Sequence, residues 1–373
     1  MKKEGRVFVG LSGGVDSAVS AALLQKEGYE VTGVFIKAWT PEGFPCTWKE
    51  DRRSAMRVAA VLDIPFVTLD LEKEYKRDVV DYMIKEYKEG KTPNPDVMCN
   101  KEIKFGAFLN FALKNGAEYV ATGHYARTSP RPRKLGLPLS LSRRGATRSE
   151  GGEVLLEGKD KNKDQSYFLW TLTPDQLKDI LFPIGHLEKP EVRKLAEKFG
   201  LPQATRKDSQ GLCFLGKIDM KEFLGKYLKT KVGKVLNIDG SEIGEHDGSS
   251  LYTMGERHGF RIFNQQTLSE PMYVIQKDIK KNTITVSPKY TDDSRSYNIC
   301  VSKVKVESMN LRGEILNKQI QCRPRYRAKK ILCDIDENMV TFLEPQFGIS
   351  PGQSLVFYDG DICLGGGIIE SIV

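Results

Sequence analysis

Over the first 130 or so residues, short apolar runs alternate with stretches whose apolar positions recur every three or four residues. RVFVGL (6–11), VTGVFIK (31–37), FVTLDL (66–71) and AEYVATGH (117–124) have the composition of strands. Between them, Ala18–Glu27, a segment around Glu50–Leu62, Glu74–Glu89 and Lys101–Lys114 carry a helical period. Tyr75, Val79, Met83 and Tyr87 stand four apart, and Ile103, Phe105, Phe108, Leu109 and Ala112 mark one apolar set. Gly28, Gly90 and Gly116 stop three of these helices. Strand and helix in alternation predict an α/β fold with a doubly wound, mostly parallel sheet.

The pattern breaks at Thr128–Ser149, which holds six basic residues and no acidic one. It reads as a mobile surface loop; a solvated insertion without function is the expectation for it, with RNA contact the sharper alternative. Helical signal returns at Thr173–Ile180 and Glu191–Phe199. From Val232 onward short strands and turn signals dominate, and the last ~80 residues predict a small β-barrel or sandwich. The expected division is 1–217 for a catalytic α/β domain, 218–288 for a small central domain and 289–373 for the β-rich end.

Composition narrows the class. With 40% hydrophobic and 28% charged residues the chain is an ordinary globular protein. No apolar run approaches the ~18 residues of a membrane span. The run VFVGL near the start is too short for a signal-peptide core, so a cytoplasmic location is expected. A net charge of +8 permits a polyanionic partner without requiring one. The seven cysteines form no CxxC pair and have no histidine cluster beside them. That argues against structural zinc and a secreted disulfide scaffold, and leaves reactivity as the way a thiol here matters.

Between the first strand and first helix lies GLSGGVDS: Gly10, Leu11, Ser12, Gly13, Gly14, Val15, Asp16 and Ser17. Glycines let backbone N–H groups approach a phosphate, and the helix start adds its positive dipole end. Ser12 and Ser17 can donate hydroxyl hydrogen bonds, and Asp16 can help hold Mg2+. The loop has no lysine, so it is not GxxxxGK[ST], and it is not GxGxxG either. It suits a site that grips pyrophosphate, including pyrophosphate that leaves after adenylation.

Two cysteines stand out. Cys99, in NPDVMCN, is placed just before the Lys101–Lys114 helix, where the dipole and unpaired N–H groups lower a thiol pKa. Cys213, in DSQGLCFLGK, lies in a glycine-flanked segment where a thiol can be exposed and can move. One thiol carrying persulfide sulfur and another resolving it by exchange make a coherent pair. Asp96, one helical turn before Cys99, can act as general base or orient a base. The spacing of these three matches no ferredoxin-type run, and no metal site is assigned. Cys46, Cys300, Cys322, Cys333 and Cys363 read as small buried hydrophobes. His124 reads as shaping a nucleotide pocket.

SGGVDS is the motif of the ATP pyrophosphatase (PP-loop) superfamily. Together with GVFIKAW, NPDVMCNKEIKF, ATGHYAR, KDQSYFL, DSQGLCFLGK, YTMGERHG, RPRYR and FYDGDICLGGGII, in that order and nearly end to end, it resembles the bacterial tRNA-specific 2-thiouridylase family. The resemblance implies a PP-loop, adenine nucleotide alpha hydrolase-like domain, then a small central domain and a C-terminal β-barrel. It implies ATP at Gly10–Ser17, Ile36 and Gly123, with Mg2+ accompanying it. The family more often has Met at the position of Ile36, and DSTGICFIG where this chain has DSQGLCFLG. Asn94, Pro95 and Asp96 would meet the target base. Cys99 would be the nucleophile and Cys213 the persulfide carrier. Lys163, Asp164, Gln165, Arg325 and Tyr326 would touch tRNA.

The implied activity is that of a tRNA-uridine 2-sulfurtransferase acting on the wobble uridine of the tRNAs for Lys, Glu and Gln. Adenylation at O2 would be followed by sulfur transfer, with AMP and pyrophosphate released. A cysteine desulfurase or a sulfur-relay protein would supply the persulfide. RPRYR, read as a strand, would place three arginines on one face and Tyr326 on the other. Two rivals remain: a PP-loop ligase or amidating synthetase, which needs no reactive cysteine pair, and a non-catalytic ATP-dependent RNA-binding module.

Overall fold

The structure is a computed structural model that describes residues 4–44, 48–130, 153–206, 211, 213–216, 219–263, 270–288, 300–312 and 319–373. Most of the basic segment 128–149, and Cys46, lie outside the described residues. Thr128, Ser129 and Pro130 are described, and they end a strand.

In chain order the first elements are β1 (Arg6–Gly10), α1 (Val15–Glu27), β2 (Glu30–Lys37), α2 (Trp48–Leu62), β3 (Phe66–Asp70), α3 (Glu72–Tyr75), α4 (Tyr82–Lys88), α5 (Pro95–Met98) and α6 (Leu109–Lys114). They continue as β4 (Tyr119–Ala121), β5 (Ala126–Pro130), β6 (Glu153–Glu157), α7 (Pro174–Leu177), β7 (Ile180–Leu181) and α8 (Lys189–Lys198). Two π-helical segments, Lys76–Asp81 and Cys99–Phe108, join α3 to α4 and α5 to α6. The chain forms two compact units: 1–79 with 96–217 and 358–365, and 80–95 with 218–357 and 366–373.

The first unit is built on a five-stranded sheet of order β3-β2-β1-β4-β7. Its pairings are all parallel. The reason is visible in the strands: Val7, Val9, Val34, Phe35, Val120 and Ala121 are buried. Parallel strands covered on both faces need apolar residues on both. Helices α1, α2 and α8 supply Ala18, Val19, Val58 and Val192 to the same core. The order reverses direction between β1 and β4, and in open α/β sheets the crevice at that switch, outside the carboxyl ends of the strands, is where ligands bind. One expectation fails here. Thr173–Ile180 is not one helix: α7 ends at Leu177, and Ile180–Leu181 pairs with β4 as an edge strand. Two residues carry too little pattern to betray a strand.

The second unit contains α9 (Met220–Tyr227) and a five-stranded sheet made of β8 (Gly233–Leu236), β9 (Glu242–His246), β10 (Phe260–Ile262), β11 (Met272–Asp278) and β12 (Thr283–Pro288). Only β8 with β12 is parallel among its registered pairs. The C-terminal strands are β13 (Cys300–Leu311), β14 (Ile320–Arg323), β15 (Ile331–Asp336), β16 (Met339–Phe347), β17 (Ser354–Asp359) and β18 (Ile362–Ile372). They run in the order β13-β16-β15-β14-β17-β18, and a β13–β18 pairing closes them into a six-stranded barrel. Closure removes the exposed edges that an open sheet presents. Val304, Val340 and Leu355 fill it, along with Cys322 and Cys333, which are buried as small hydrophobes.

Candidate active site

The glycine loop follows β1 and runs into α1, at the switch point of the sheet. Gly13 has φ +78, and a Cβ there would lie 2.5 Å from the Asp51 carbonyl oxygen, so only glycine fits. Gly14 caps α1 in an extended conformation with no side-chain cap on the helix. The first-turn N–H groups are therefore left to a ligand or to water. Ser17 Oγ donates to the Gly14 carbonyl and lies 3.2 Å from Ser12 Oγ, while the Gly14 N–H donates to Ser12 Oγ. Arg206 holds the loop from behind: its Nη1 donates to the Gly13 carbonyl at 2.8 Å, and its Nη2 meets Asp51 at 2.5 Å. Gly123, just past β4, packs on the same turn. A Cβ on it would come within 2.7 Å of the Ser17 nitrogen. Ile36 is buried near the carboxyl end of β2. Leu11 and Val15 are buried in the core beneath the loop.

This cradle of backbone amides, two hydroxyls and a bare helix start fits an anionic phosphate chain. It does not fit a protein-held magnesium ion. Both oxygens of Asp16 already receive Lys189 Nζ at 2.8 Å, and Oδ1 also accepts the Tyr125 hydroxyl at 2.7 Å. Among the described residues there is no group of three His, Cys, Asp or Glu that could hold a metal ion. Lys189 was not found from sequence, because it is 173 residues away from its partner.

The two thiols meet. Cys99 Sγ and Cys213 Sγ are 3.2 Å apart, both as free cysteines. Asp96 joins them, its Oδ1 accepting the Cys213 N–H at 3.0 Å, and Tyr75 donates its hydroxyl to the Cys213 carbonyl at 2.6 Å. Cys213 is thus pinned at both backbone groups and half-buried, in a segment whose sequence allows an exposed and mobile thiol. Its neighbour Phe214 takes φ +63, a left-handed conformation that costs a non-glycine residue energy. The Phe214 ring packs edge-on against Tyr75.

The expectation for Cys99 also changes. It does not precede a helix. Helix α5 starts at Pro95, and Cys99 follows it within continuous helical backbone, fully buried. Burial pushes its thiol pKa well up, and its hydrogen bond to Cys213 adds to that. The thiol with a lowered pKa is Cys213, first because it receives the Cys99 hydrogen bond, and then because the Lys104 ammonium faces it against the cost of burial. Burial raises the Asp96 pKa, opposed by the Cys213 N–H and by Lys104.

Lys104, within NPDVMCNKEIKF, is a residue of the site that the sequence does not single out. It is half-buried, lies 3.4 Å from His124 Nε2 and stands 6.0 Å from the Phe214 ring centre. The reason it was missed is helical register. In an α-helix, residues five apart are rotated by about 140°. Cys99–Phe108 is π-helical, and its i→i+5 bonding brings residue 104 back under residue 99. Burial, and after it Lys104, pushes the His124 pKa well below the usual range. The imidazole is neutral, accepts from Lys104 at Nε2, and so carries its proton on Nδ1, 2.7 Å from Thr122 Oγ1.

The remaining residues divide. Asn94 and Pro95 belong to the second unit and lead into α5, with Pro95 at its first position. Asp164 turns inward. It is buried and accepts from the Gly158 and Ser166 amides and the Ser166 hydroxyl, so its side chain has a structural task rather than a surface one. Gln165 Oε1 accepts the Tyr125 N–H at 3.0 Å, and Lys163 is half-buried beside it. Arg325 is exposed, with Nη2 donating to the Phe347 carbonyl, and Tyr326 stacks under Arg327. RPRYR is not a strand throughout: β14 ends at Arg323, and Arg327 has φ +62 in the turn that follows. The arginines are therefore spread round a turn, not aligned on one strand face.

Comparison with known proteins adds three matches by family model: a tRNA methyl transferase HUP domain over residues 5–217, a tRNA methyl transferase PRC-barrel domain over 221–288 and an aminomethyltransferase beta-barrel domain over 298–369. The chain is 44% identical over 373 residues to the tRNA-specific 2-thiouridylase MnmA of Lactococcus lactis subsp. cremoris, covering 98% of this chain and 94% of that protein. It is likewise 44% identical over 375 residues to the protein of that name from Streptococcus thermophilus, covering 98% and 95%. A solved U34-tRNA thiolase NcsA from Methanococcus maripaludis, with its [4Fe-4S] cluster, is 16% identical, with a TM-score of 0.35 over 61% of this chain and 66% of that one.

Proposed function

The chain belongs to the tRNA-specific 2-thiouridylase family, and from that premise we propose how this one makes thiouridine in tRNA. The substrate base is the wobble uridine of the tRNAs for Lys, Glu and Gln, read in a single-stranded loop where bases can be splayed out. ATP, held at Gly10–Ser17, Ile36 and Gly123, supplies the activation: adenylation at O2 makes C2 electrophilic and AMP a leaving group. Cys213 carries the persulfide. Its terminal sulfur attacks C2, or Cys99 attacks Cys213 and releases hydrosulfide that does so. Either route can leave a Cys99–Cys213 disulfide for a reductant to reopen. Asp96, on the amide of Cys213, serves as the acid–base group.

In this reading Asn94, Pro95, Lys163, Gln165, Arg325 and Tyr326 meet the tRNA, and Asp164 supports its neighbours from inside. A cysteine desulfurase or relay protein donates the sulfur. The division into 1–217, 218–288 and 289–373 belongs to the same proposal, as does action in the cytoplasm. Among the described residues no helix is long and apolar enough to cross a membrane.

The observation that carries the reading is the 3.2 Å approach of two thiols 114 residues apart, with Asp96 on the amide of one of them. The test is nucleoside mass spectrometry of tRNA incubated with the protein, ATP, magnesium, a desulfurase and cysteine. Wild type should form 2-thiouridine, and Cys99→Ser and Cys213→Ser should not. Full thiolation by Cys99→Ser would remove the two-thiol mechanism and favour PP-loop chemistry that needs no cysteine pair. ATP and tRNA binding without AMP release would leave a binding module.

A further inference from the structure

We propose that Arg206 is a positioning residue for the nucleotide: with Ser54 it turns the Gly13 carbonyl out of the glycine loop and so aims the Gly14 N–H at the phosphate chain. The inference rests on the reading that Gly10–Ser17 holds ATP.

GLSGGVDS carries no lysine, so recognition of phosphate there falls to backbone N–H groups, and these serve only if they point the right way. The direction of the peptide between Gly13 and Gly14 is fixed from outside the loop. The Gly13 carbonyl accepts two hydrogen bonds, from Ser54 Oγ at 3.0 Å and from Arg206 Nη1 at 2.8 Å. In a trans peptide the carbonyl of one residue and the N–H of the next point in opposite directions. Holding the carbonyl toward α2 therefore turns the Gly14 N–H to the other side, where it meets Ser12 Oγ at 3.3 Å within the loop. Gly13 makes this turn with φ +78, in the left-handed region that favours glycine.

Three parts of the first unit support that one carbonyl. From α2, Asp51 accepts Arg206 Nη2 at 2.5 Å, which orients the guanidinium and leaves Nη1 for Gly13. From the 203–206 segment, the buried Gln203 donates its Nε2 to the Ser54 carbonyl at 2.9 Å and to Ser54 Oγ at 3.1 Å, so the serine proton is left for Gly13. From α8, Arg193 Nη1 donates to the carbonyls of Ala204 at 2.8 Å and Arg206 at 3.1 Å and fixes that segment. Charge adds to direction. A guanidinium on the carbonyl polarises the peptide and makes its N–H the stronger donor. Arg206 thus acts through the peptide on an anion that a phosphate-loop lysine would meet directly.

Equilibrium dialysis of the full chain in magnesium buffer, with labelled ATP and separately with labelled AMP, tests this. AMP lacks the pyrophosphate that the loop would grip. Arg206→Met should weaken ATP binding by about tenfold and AMP binding by less than about twofold. Arg206→Lys keeps the charge and a donor and should recover most of the loss. ATP affinity equal to wild type in Arg206→Met would overturn the proposal, and so would an equal loss for ATP and AMP, which marks general damage to the domain. Should Arg206→Met fail to fold, Ser54→Ala decides. It removes the other donor and should weaken ATP by about threefold with AMP unchanged, whereas no loss or an equal loss refutes the aiming role. A wild-type chain that binds no ATP removes the ATP reading and this inference with it; ATP binding that is the same in wild type and Arg206→Met removes this inference alone.

Discussion

At the scale of single residues, the site separates stability from chemistry. Asp96 has a raised pKa because burial disfavours its charge, so above that pKa the ionised group costs the folded state stability, and the cost is relieved as pH falls. Asn at this position keeps an oxygen for the Cys213 N–H and removes the charge. Asp96→Asn should therefore melt no lower than wild type at pH 8, while its thiolation rate falls by about 100-fold or more if the carboxyl moves a proton. Thermal unfolding followed by circular dichroism, beside single-turnover thiolation, separates the two; a variant with full activity would leave Asp96 only an amide anchor. Gly13 offers the complementary case. Gly13→Ala adds a Cβ against the Asp51 carbonyl at a left-handed φ, and equilibrium dialysis with ATP should find binding weakened by about tenfold or more, since strain of this kind costs of order 1–3 kcal/mol.

At the scale of elements, what holds the loop is its clamp to helices from elsewhere in the chain. Lys189, at the first turn of α8, ties α1 through Asp16, and Arg206 ties the loop to Asp51 in α2. The Lys189 side chain is largely buried and that of Asp16 partly so. Lys189→Met leaves Asp16 only the Tyr125 hydroxyl, and should lower the urea midpoint by an amount equivalent to about 1–3 kcal/mol. A midpoint equal to that of wild type would mean the pair contributes nothing to α1–α8 packing. Strands β1 to β4 and their helices are legible in the sequence, since buried parallel strands and amphipathic helices have strong patterns. Strand β7 is too short to have one, and the π register of Cys99–Phe108 is hidden because the apolar period of Ile103, Phe105, Phe108 and Leu109 is satisfied by α and π turns alike.

At the scale of the whole molecule, the net charge of +8 suits a polyanion, and Arg325 is one exposed place where it can act. Arg325→Gln should weaken tRNA binding across all salt concentrations. It should also flatten the log–log salt slope by roughly 0.7 to 0.9 if one phosphate contact is lost. Filter binding at several potassium chloride concentrations measures this, and an unchanged slope removes Arg325 from the tRNA surface. Its exposure does not depend on the strand alternation that sequence suggested, because the RPRYR arginines leave the strand at Arg323.

By itself the sequence determined the parallel sheet, the glycine loop at its first turn, the β-rich end and the two thiols that the fold brings together. Each of these is written in local period, in glycine placement or in an ordered run of motifs. Only the tertiary structure decided the charges. Why the two thiols meet, why Asp16 is committed to Lys189 rather than free for a metal, and why His124 is neutral all follow from groups tens to hundreds of residues apart being brought within hydrogen-bond reach. The physical reason is that a pKa is set by burial and by the nearest donors and charges, and a linear chain does not state which those will be.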